Sequence, residues 1–196
     1  MPNISDFKTK LRGGGSRANQ FRVTMPFPGF ASVGGETETM SFLCSASSLP
    51  GMTIGEVPIP FRGRNLYVAG DREFATWTTT VLNDTDFSIR NDYEIWLNGI
   101  NNMSDNEGLV NPADYQVDVF IDQLDRNGNV IKSYTFRGMF PTTIDDIALS
   151  YADNNTVESF TATHRYQYFE TIRLLNRRLN ISRRKIEVNY GRTIWV

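Results

Sequence analysis

Cysteine and histidine are nearly absent from this sequence of 196 residues, which contains one of each. A single cysteine, Cys44, cannot form an intrachain disulfide or a cysteine-based zinc cage. A single histidine, His164, removes most metal sites and most histidine-dependent catalysis. We therefore predict no enzyme, no metal and no cofactor, and we interpret Cys44 and His164 as buried structural residues.

Long apolar runs are absent as well. No stretch reaches the roughly 18 apolar residues that a membrane span requires, and the first residues lack the apolar segment of a secretory signal. The hydrophobic fraction of 40% and the aromatic fraction of 12% argue against a disordered chain, because disorder accompanies low hydrophobicity. A chain of this length can bury a core, so we predict one domain with flanking arms and no membrane span.

The net charge of -2 conceals an uneven distribution along the chain. Residues 1–22 carry +4 and residues 173–196 carry +6, so the middle of the chain carries -12. An acidic body with basic ends is therefore the first property that a function must explain.

This distribution predicts three parts: an N-terminal arm at 1–18 with a glycine-rich hinge, a body at 19–170 and a basic extension at 171–196. The extension either binds nucleic acid or packs on an acidic neighbouring subunit. The second interpretation is favoured, because an acidic body repels phosphates. The residues that we expect to make the arm contacts are Arg177, Arg178, Arg183, Arg184, Lys185 and Trp195.

Alternation of apolar and polar residues, broken by turn residues, predicts a mainly β body. The segment 49–70 is extended but contains three prolines, which favours an edge hairpin or a projecting loop. Asn127-Gly128 is a strong hairpin signal. The predicted strands cover residues 19–25, 41–47, 71–83, 115–123 and 130–137, and a second hairpin joins 144–151 to 156–170.

One long helix is predicted at about 86–100, with Asp84 or Asp86 as its N-terminal cap. Its apolar stripe consists of Phe87, Tyr93, Trp96, Leu97 and Ile100. Shorter helices are compatible with residues 3–12 and 171–180, and a strand with 185–190. Together these elements predict an antiparallel β-sandwich or small barrel with one embedded helix.

Two consecutive runs in the first half of the chain have a family resemblance. They are Val68-Ala-Gly-Asp-Arg-Glu-Phe74 and the strand Trp77-Thr-Thr-Thr-Val81, which leads into the aromatic-rich helix. Together with the later run Phe136-Arg-Gly-Met-Phe-Pro-Thr142, they resemble the tail tube proteins of T4-like contractile phages. The resemblance extends over roughly residues 18–170. The proline- and glycine-rich segment 26–39 and the basic extension depart from it.

The resemblance implies a subunit that forms hexameric rings, which stack into a hollow tube inside a contractile sheath. It implies self-association, a tail sheath, a baseplate and a tail terminator as partners, and genomic DNA passing through the lumen without sequence-specific binding. The implied location is the virion, with the host cytoplasm during assembly.

Within that picture, two sets of residues become candidate sites. An apolar projecting segment requires a partner, so the inter-subunit or inter-ring candidates are Met52, Ile54, Val57, Ile59, Phe61, Arg62, Arg64 and Tyr67. A conduit for DNA should be neutral or negative, because lysines would retain phosphates. The lumen-lining candidates are accordingly Gln116, Asp118, Asp122, Thr76, Thr78 and Thr80.

Other functions remain open from the sequence. A baseplate-proximal tube initiator or the tube of a non-viral contractile injection system would share these features. From a different class, a nucleic-acid-binding protein would act through the basic extension, and a hydrolase would need a mechanism based on carboxylates alone.

Overall fold

The computed structural model describes residues 3–11, 15–32, 34–152 and 154–173. Its helices are α1 (Ile4–Lys10), α2 (Glu36–Leu43), α3 (Ser88–Ile100) and α4 (Pro112–Tyr115). Its strands are β1 (Phe21–Thr24), β2 (Cys44–Ser47), β3 (Met52–Phe61), β4 (Arg64–Phe74), β5 (Trp77–Leu82), β6 (Val117–Leu124), β7 (Val130–Ile144), β8 (Ser159–Arg165) and β9 (Tyr168–Arg173).

The long strand β7 joins two antiparallel layers. Its first part pairs with β6 and β9, whereas its last part, from Phe140 to Ile144, pairs with β8. We call the group β1-β6-β7-β9 layer A, and the group β2-β5-β8 with the end of β7 layer B. β1 and β2 stand at the two ends of the strand path. The prediction of a mainly β, antiparallel sandwich or small barrel is therefore confirmed, and the two layers have the form of a sandwich.

Large aromatic side chains fill the space between the layers. Trp77 of layer B lies 4.8 Å from Phe136 of layer A, measured between ring centroids, and both side chains are essentially inaccessible. Phe27, which follows β1, makes edge-to-face contacts with Tyr93 and Trp96 of α3 at 5.3 and 5.6 Å. Such pairs add to the apolar area that each ring buries, so α3 is fixed against the open side of the sandwich.

His164 is a structural residue of this core, as predicted. Its side chain is fully buried, with Nε2 2.8 Å from the Tyr93 hydroxyl and Nδ1 3.3 Å from the Trp77 carbonyl. In this arrangement Nδ1–H donates to the carbonyl and the hydroxyl donates to Nε2, so the ring is neutral. Burial lowers the pKa of His164 to about 4, and the bond to the Trp77 backbone opposes the shift.

The helix α3 ends where it was predicted to end, but its first turn differs from the prediction. The helix begins at Ser88, whose backbone N–H donates to the Asp84 carboxylate at 2.9 Å. Phe87 occupies the N-cap position, so neither predicted aspartate is the N-cap residue, although Asp84 satisfies this N–H. The helical periodicity predicts Phe87 on the buried stripe, yet Phe87 has a positive φ of 54° and is 40% exposed. The left-handed backbone at the N-cap turns this side chain away from the core.

The two short helices α2 and α4 were not predicted. The strand predicted at 41–47 is also shorter than expected. Residues 36–43 are helical, and only Cys44–Ser47 forms the strand β2. Within α2 only Glu36 and Met40 are buried. A helix that presents so narrow an apolar face has no detectable periodicity in the sequence.

Three other boundaries differ from the prediction. The strand expected at 71–83 is divided, because Asp71–Phe74 continue β4 opposite β3 and β5 starts afresh at Trp77. The strand expected at 156–170 is also divided: β8 pairs in layer B, and β9 pairs with the first part of β7 in layer A. Because β9 continues to Arg173, the helix expected from 171 does not start there.

Candidate assembly surfaces

The strands β3 and β4 form a ribbon of two strands that is separate from the sandwich sheet. At its tip Arg62 and Gly63 both have positive φ, 46° and 84°. Two such residues form a type I′ turn, whose twist matches that of the flanking strands and suits a hairpin. The predicted edge hairpin or projecting loop at 49–70 is therefore a hairpin, and it extends to Phe74.

One face of this hairpin is an apolar ladder. Val57 pairs with Val68 and Ile59 pairs with Leu66, and all four side chains are exposed. Residues paired directly across two strands lie on the same face, so the four form one continuous patch. The exposed fractions run from 45% for Ile59 to 60% for Leu66. An exposed ladder of this kind marks a surface for association.

The other face and the edge of the hairpin are less suited to association. Pro58 pairs with Tyr67 and Pro60 with Asn65, on the face opposite the apolar ladder. Prolines cannot donate to a ladder, so they occupy positions where the backbone nitrogen points away from β4. The outer edge of β3 thus lacks two donors, which disfavours extension of the sheet by an added strand.

All eight predicted inter-subunit residues lie on this hairpin, and the structure shows each of them exposed. The prediction omitted Leu66 and Val68, although they complete the apolar ladder. They stand two residues apart in the run 64–69, so a period of two was the signal that would have identified them.

The outward face of layer A carries the predicted acidic row. Asp122 accepts from Arg22 at 2.8 Å and from the Ser133 hydroxyl at 2.6 Å. Asp118 forms an ion pair with Arg137 and accepts from the Gly138 N–H at 3.1 Å. Each predicted carboxylate is thus paired with an arginine on a neighbouring strand, which the sequence did not indicate.

Arg137 is the centre of this network. Its guanidinium also contacts Glu170 of β9 at 2.9 Å. The hydrogen bond to Asp118, followed by that to Glu170, raises the pKa of Arg137. Arg22, Arg137, Asp118, Asp122 and Glu170 together carry one net negative charge, so this face is weakly acidic.

Gln116 lies outside the acidic row. It is the C-cap of α4 and precedes β6, where its backbone N–H donates to the Pro112 carbonyl at 2.9 Å. Its side chain lies against Gly138, since a Cβ on that glycine would come within 2.9 Å of the Gln116 Oε1. Gly138 also has a positive φ of 60°, so a side chain there would be strained as well as crowded.

The threonine row lies on layer B. Thr78 pairs with Thr163 and Thr80 pairs with Thr161, and all four turn away from the buried face that holds Trp77. The row therefore continues onto β8, beyond the three threonines that were predicted. Thr76 is exposed but lies between β4 and β5, outside either strand.

The arm residues Arg177, Arg178, Arg183, Arg184, Lys185 and Trp195 lie outside the described residues, as do the strand predicted at 185–190 and most of the helix predicted at 171–180. In the described ranges, no helix has the length and apolar character for a membrane span. In the same ranges, no cluster of His, Cys, Asp and Glu has the arrangement of a metal site.

Comparison with known proteins agrees with this geometry. A family model described as phage tail tube protein matches residues 16–172. The chain is similar to the tail tube protein of Serratia phage KSP90, with 32% identity over 168 residues that cover 85% of this chain and 95% of that protein. It is also 28% identical to the tail tube protein gp19 of Enterobacteria phage T4, over 79% of this chain and 91% of that protein.

A solved structure shares the fold at much lower sequence identity. It is the sheath–tube complex, in the extended state, of PVC, an extracellular contractile injection system. The TM-score is 0.54 at 12% identity, with 89% of this chain and 100% of that chain covered. This likeness shows the fold alone.

Proposed function

This chain belongs to the phage tail tube protein family, and we propose that its copies form hexameric rings that stack into the inner tube of a contractile tail. As a tail tube protein it is a structural component of the virion. The family assignment and the fold are the premises of this proposal. The arrangement of the subunits is the part that it adds.

The observation that carries the proposal is the exposed apolar ladder of the β3–β4 hairpin. A hairpin of two strands has little stability in water unless a further surface covers it. Val57, Ile59, Leu66 and Val68 are each about half exposed. Burying the remainder of such a side chain contributes about 1 kcal/mol, so docking this ladder on another copy favours assembly.

The proposal also includes the partners that such a tube requires. A sheath surrounds it, a baseplate and a terminator stand at its ends, and genomic DNA passes through its lumen during ejection. Assembly takes place in the host cytoplasm. The family of phage tail tube proteins supports these assignments, and none of the similarities described above supports a nucleic-acid-binding protein that acts through the basic extension.

The lumen is lined by one of two rows. The outward faces of two layers in a sandwich point in opposite directions, so a wall one sandwich thick presents either Asp118 and Asp122 or Thr78 and Thr80 to the lumen. Either row suits passage of DNA, because the first is weakly acidic and the second is uncharged.

Cysteine labelling separates these alternatives. Asp122→Cys and Thr80→Cys variants are assembled and treated with a maleimide too bulky to enter the tube, while the buried Cys44 stays unreactive. The row that faces the lumen is protected in tubes and labelled in dissociated subunits. Equal labelling of both rows in intact tubes would contradict a lumen lined by either one.

The hairpin itself is tested with matched variants. Ile59→Asp places a charge on the apolar ladder, and Asn65→Asp places the same charge on the opposite face. By sedimentation velocity, we expect wild type and Asn65→Asp to assemble and Ile59→Asp to remain monomeric. Below the concentration at which wild type assembles, both variants should have the unfolding free energy of wild type, since Ile59 and Asn65 lie near the tip of the hairpin and pair within it. Assembly of Ile59→Asp at the wild-type concentration would refute the role of the ladder.

A further inference from the structure

A cavity of about 770 Å³ lies between α2 and α3, away from the hairpin and from both proposed lumen faces. Among the described residues, no lysine or arginine lines it. Its walls carry Glu36 from the start of α2 and both Asp92 and Glu94 from α3. The cavity is therefore acidic, and the fold accounts for only some of its carboxylates.

Glu36 has roles within its own subunit. Its carboxylate accepts from the Ser32 hydroxyl at 2.8 Å and from the Gly34 N–H, and it stands in the first turn of α2, where a negative charge is favoured. Glu94 forms an ion pair with Arg90 at 3.0 Å. These two acids are satisfied by local contacts.

Asp92 is different. Only 4% of its surface is exposed, and its Oδ2 has no hydrogen-bond partner in the described part of the chain. A buried acceptor without a partner costs about 1–3 kcal/mol, and more when it is charged. Burial, followed by the negative charges of Glu36 and Asp84, raises the pKa of Asp92 to about 6. A donor with a positive charge would remove this cost.

We propose that this cavity binds the basic run Arg183-Arg184-Lys185 of a second copy of the chain. The inference rests on the proposed self-assembly. Residues 173–196 carry +6 while the body carries -12, so the charges are complementary. Guanidinium and ammonium groups are donors without acceptors, which is what an unpartnered buried carboxylate oxygen requires.

The basic extension and the cavity lie at opposite ends of β6, which suits contact between copies. The Trp96 indole, in the same helix as Asp92, donates to the carbonyl of Tyr115, just before β6 begins. Arg173, where the described chain leaves β9, pairs with Lys132, which pairs with Gln123 near the end of β6. The strand between them spans about 20 Å. Copies in head-to-tail order therefore bring the extension of one toward the cavity of the next.

The distance from the end of β9 favours the run 183–185 over the other basic residues of the extension. Residues 177 and 178 are four and five positions beyond Arg173, so they reach at most about 18 Å from the end of β9. Residues 183–185 reach about 35–40 Å, which exceeds the length of the strand β6 that separates the end of β9 from the cavity. The run also concentrates three of the seven basic residues of 173–196 in consecutive positions.

Carbodiimide coupling of full-length protein tests the contact directly. The reagent joins a lysine amine to a carboxylate, and the chain has four lysines, at positions 8, 10, 132 and 185. Tubes assembled from an equal mixture of ¹⁴N- and ¹⁵N-labelled chains are coupled, digested and analysed by mass spectrometry. We expect Lys185 to be linked to Asp92 or Glu94, with half of the linked pairs of mixed isotope.

Every other outcome overturns the inference. Links of single isotope only would place the extension in the cavity of its own chain. Links from Lys8 or Lys10 instead would assign the cavity to the N-terminal arm. Tubes without any cavity link would refute the contact and leave the proposed function standing, whereas a failure to form tubes would refute both.

Matched variants supply a second measurement. Replacing residues 183–185 with glutamate should raise the concentration needed for assembly roughly tenfold, as expected for loss of a charged hydrogen bond. Arg192→Glu, a basic residue of the same extension outside the run, should change it less than about twofold. Asp92→Asn should weaken assembly as the triple variant does, and Glu107→Gln in an exposed loop should not. Equal effects of Arg192→Glu and the triple variant would contradict the proposed contact.

Discussion

Replacing Asp92 with asparagine should stabilise the isolated subunit, because the native carboxylate is buried without a partner for Oδ2. Folding raises the pKa of this group from 3.8 to about 6. Two pKa units correspond to about 3 kcal/mol, and the open cavity beside the carboxylate reduces this by screening. We expect Asp92→Asn to raise the unfolding free energy by about 1–2 kcal/mol at pH 7.5.

The sign of the pH dependence follows from the raised pKa. Between pH 6 and pH 4 the folded state binds the Asp92 proton more tightly than the unfolded state, so acidification relieves the penalty in wild type. The advantage of Asp92→Asn should therefore shrink as the pH falls through 6 and vanish near pH 4. In the cavity-bound state of the assembled tube the same variant loses a contact, so its effect on assembly has the opposite sign.

The measurement is urea unfolding of Asp92→Asn and its parent at pH 7.5, 6 and 4.5. Both proteins carry Ile59→Asp, which keeps the subunit monomeric. The midpoint and slope of each transition give the unfolding free energy. A variant less stable than its parent at pH 7.5, or a difference that does not change with pH, would refute the assignment of Asp92 as an uncompensated buried charge.

Three further predictions concern the core. Folding lowers the pKa of His164 to about 4. The unfolding free energy should therefore fall as the pH drops below 6.5, by about 2 kcal/mol at pH 5. In urea unfolding, His164→Gln should remove this part of the pH dependence. Phe136→Ala should cost about 3–5 kcal/mol by the same assay, because the fully buried ring lies between the layers; a loss below about 1 kcal/mol would contradict its place in the core. Burial raises the pKa of Cys44 to about 11, so its thiol should react with a disulfide reagent only after unfolding, and rapid reaction of the native protein would contradict that burial.

The parts of the fold that were predicted from the sequence are those with a local signal. Asn127-Gly128 and the alternation before it located the β6–β7 hairpin, since turn chemistry and period-two burial are properties of neighbouring residues. The break at Gln167 was missed, because Tyr166 and Tyr168 continue the period of two in the sequence, whereas the structure exposes Tyr168 and changes the partner strand. Which layer a strand joins depends on residues far along the chain.

The candidate surfaces also include features that a local sequence signal predicts and features that depend on distant residues. The exposed hairpin could be predicted, because prolines within an apolar extended segment exclude a central strand. The pairing of Asp122 with Arg22 could not, since 100 residues separate the two side chains. The unpartnered Asp92 was also missed, because its helical position fits a solvated face and α2, which covers it, has no periodicity of its own.

We propose above all that this subunit assembles into a tube through its exposed hairpin. Negative-stain electron microscopy of the purified full-length protein tests it most directly, with sedimentation velocity on the same sample. We expect rings of sixfold symmetry or long tubes in wild type, and single subunits in Ile59→Asp. A monodisperse monomer at high concentration of wild type would contradict it.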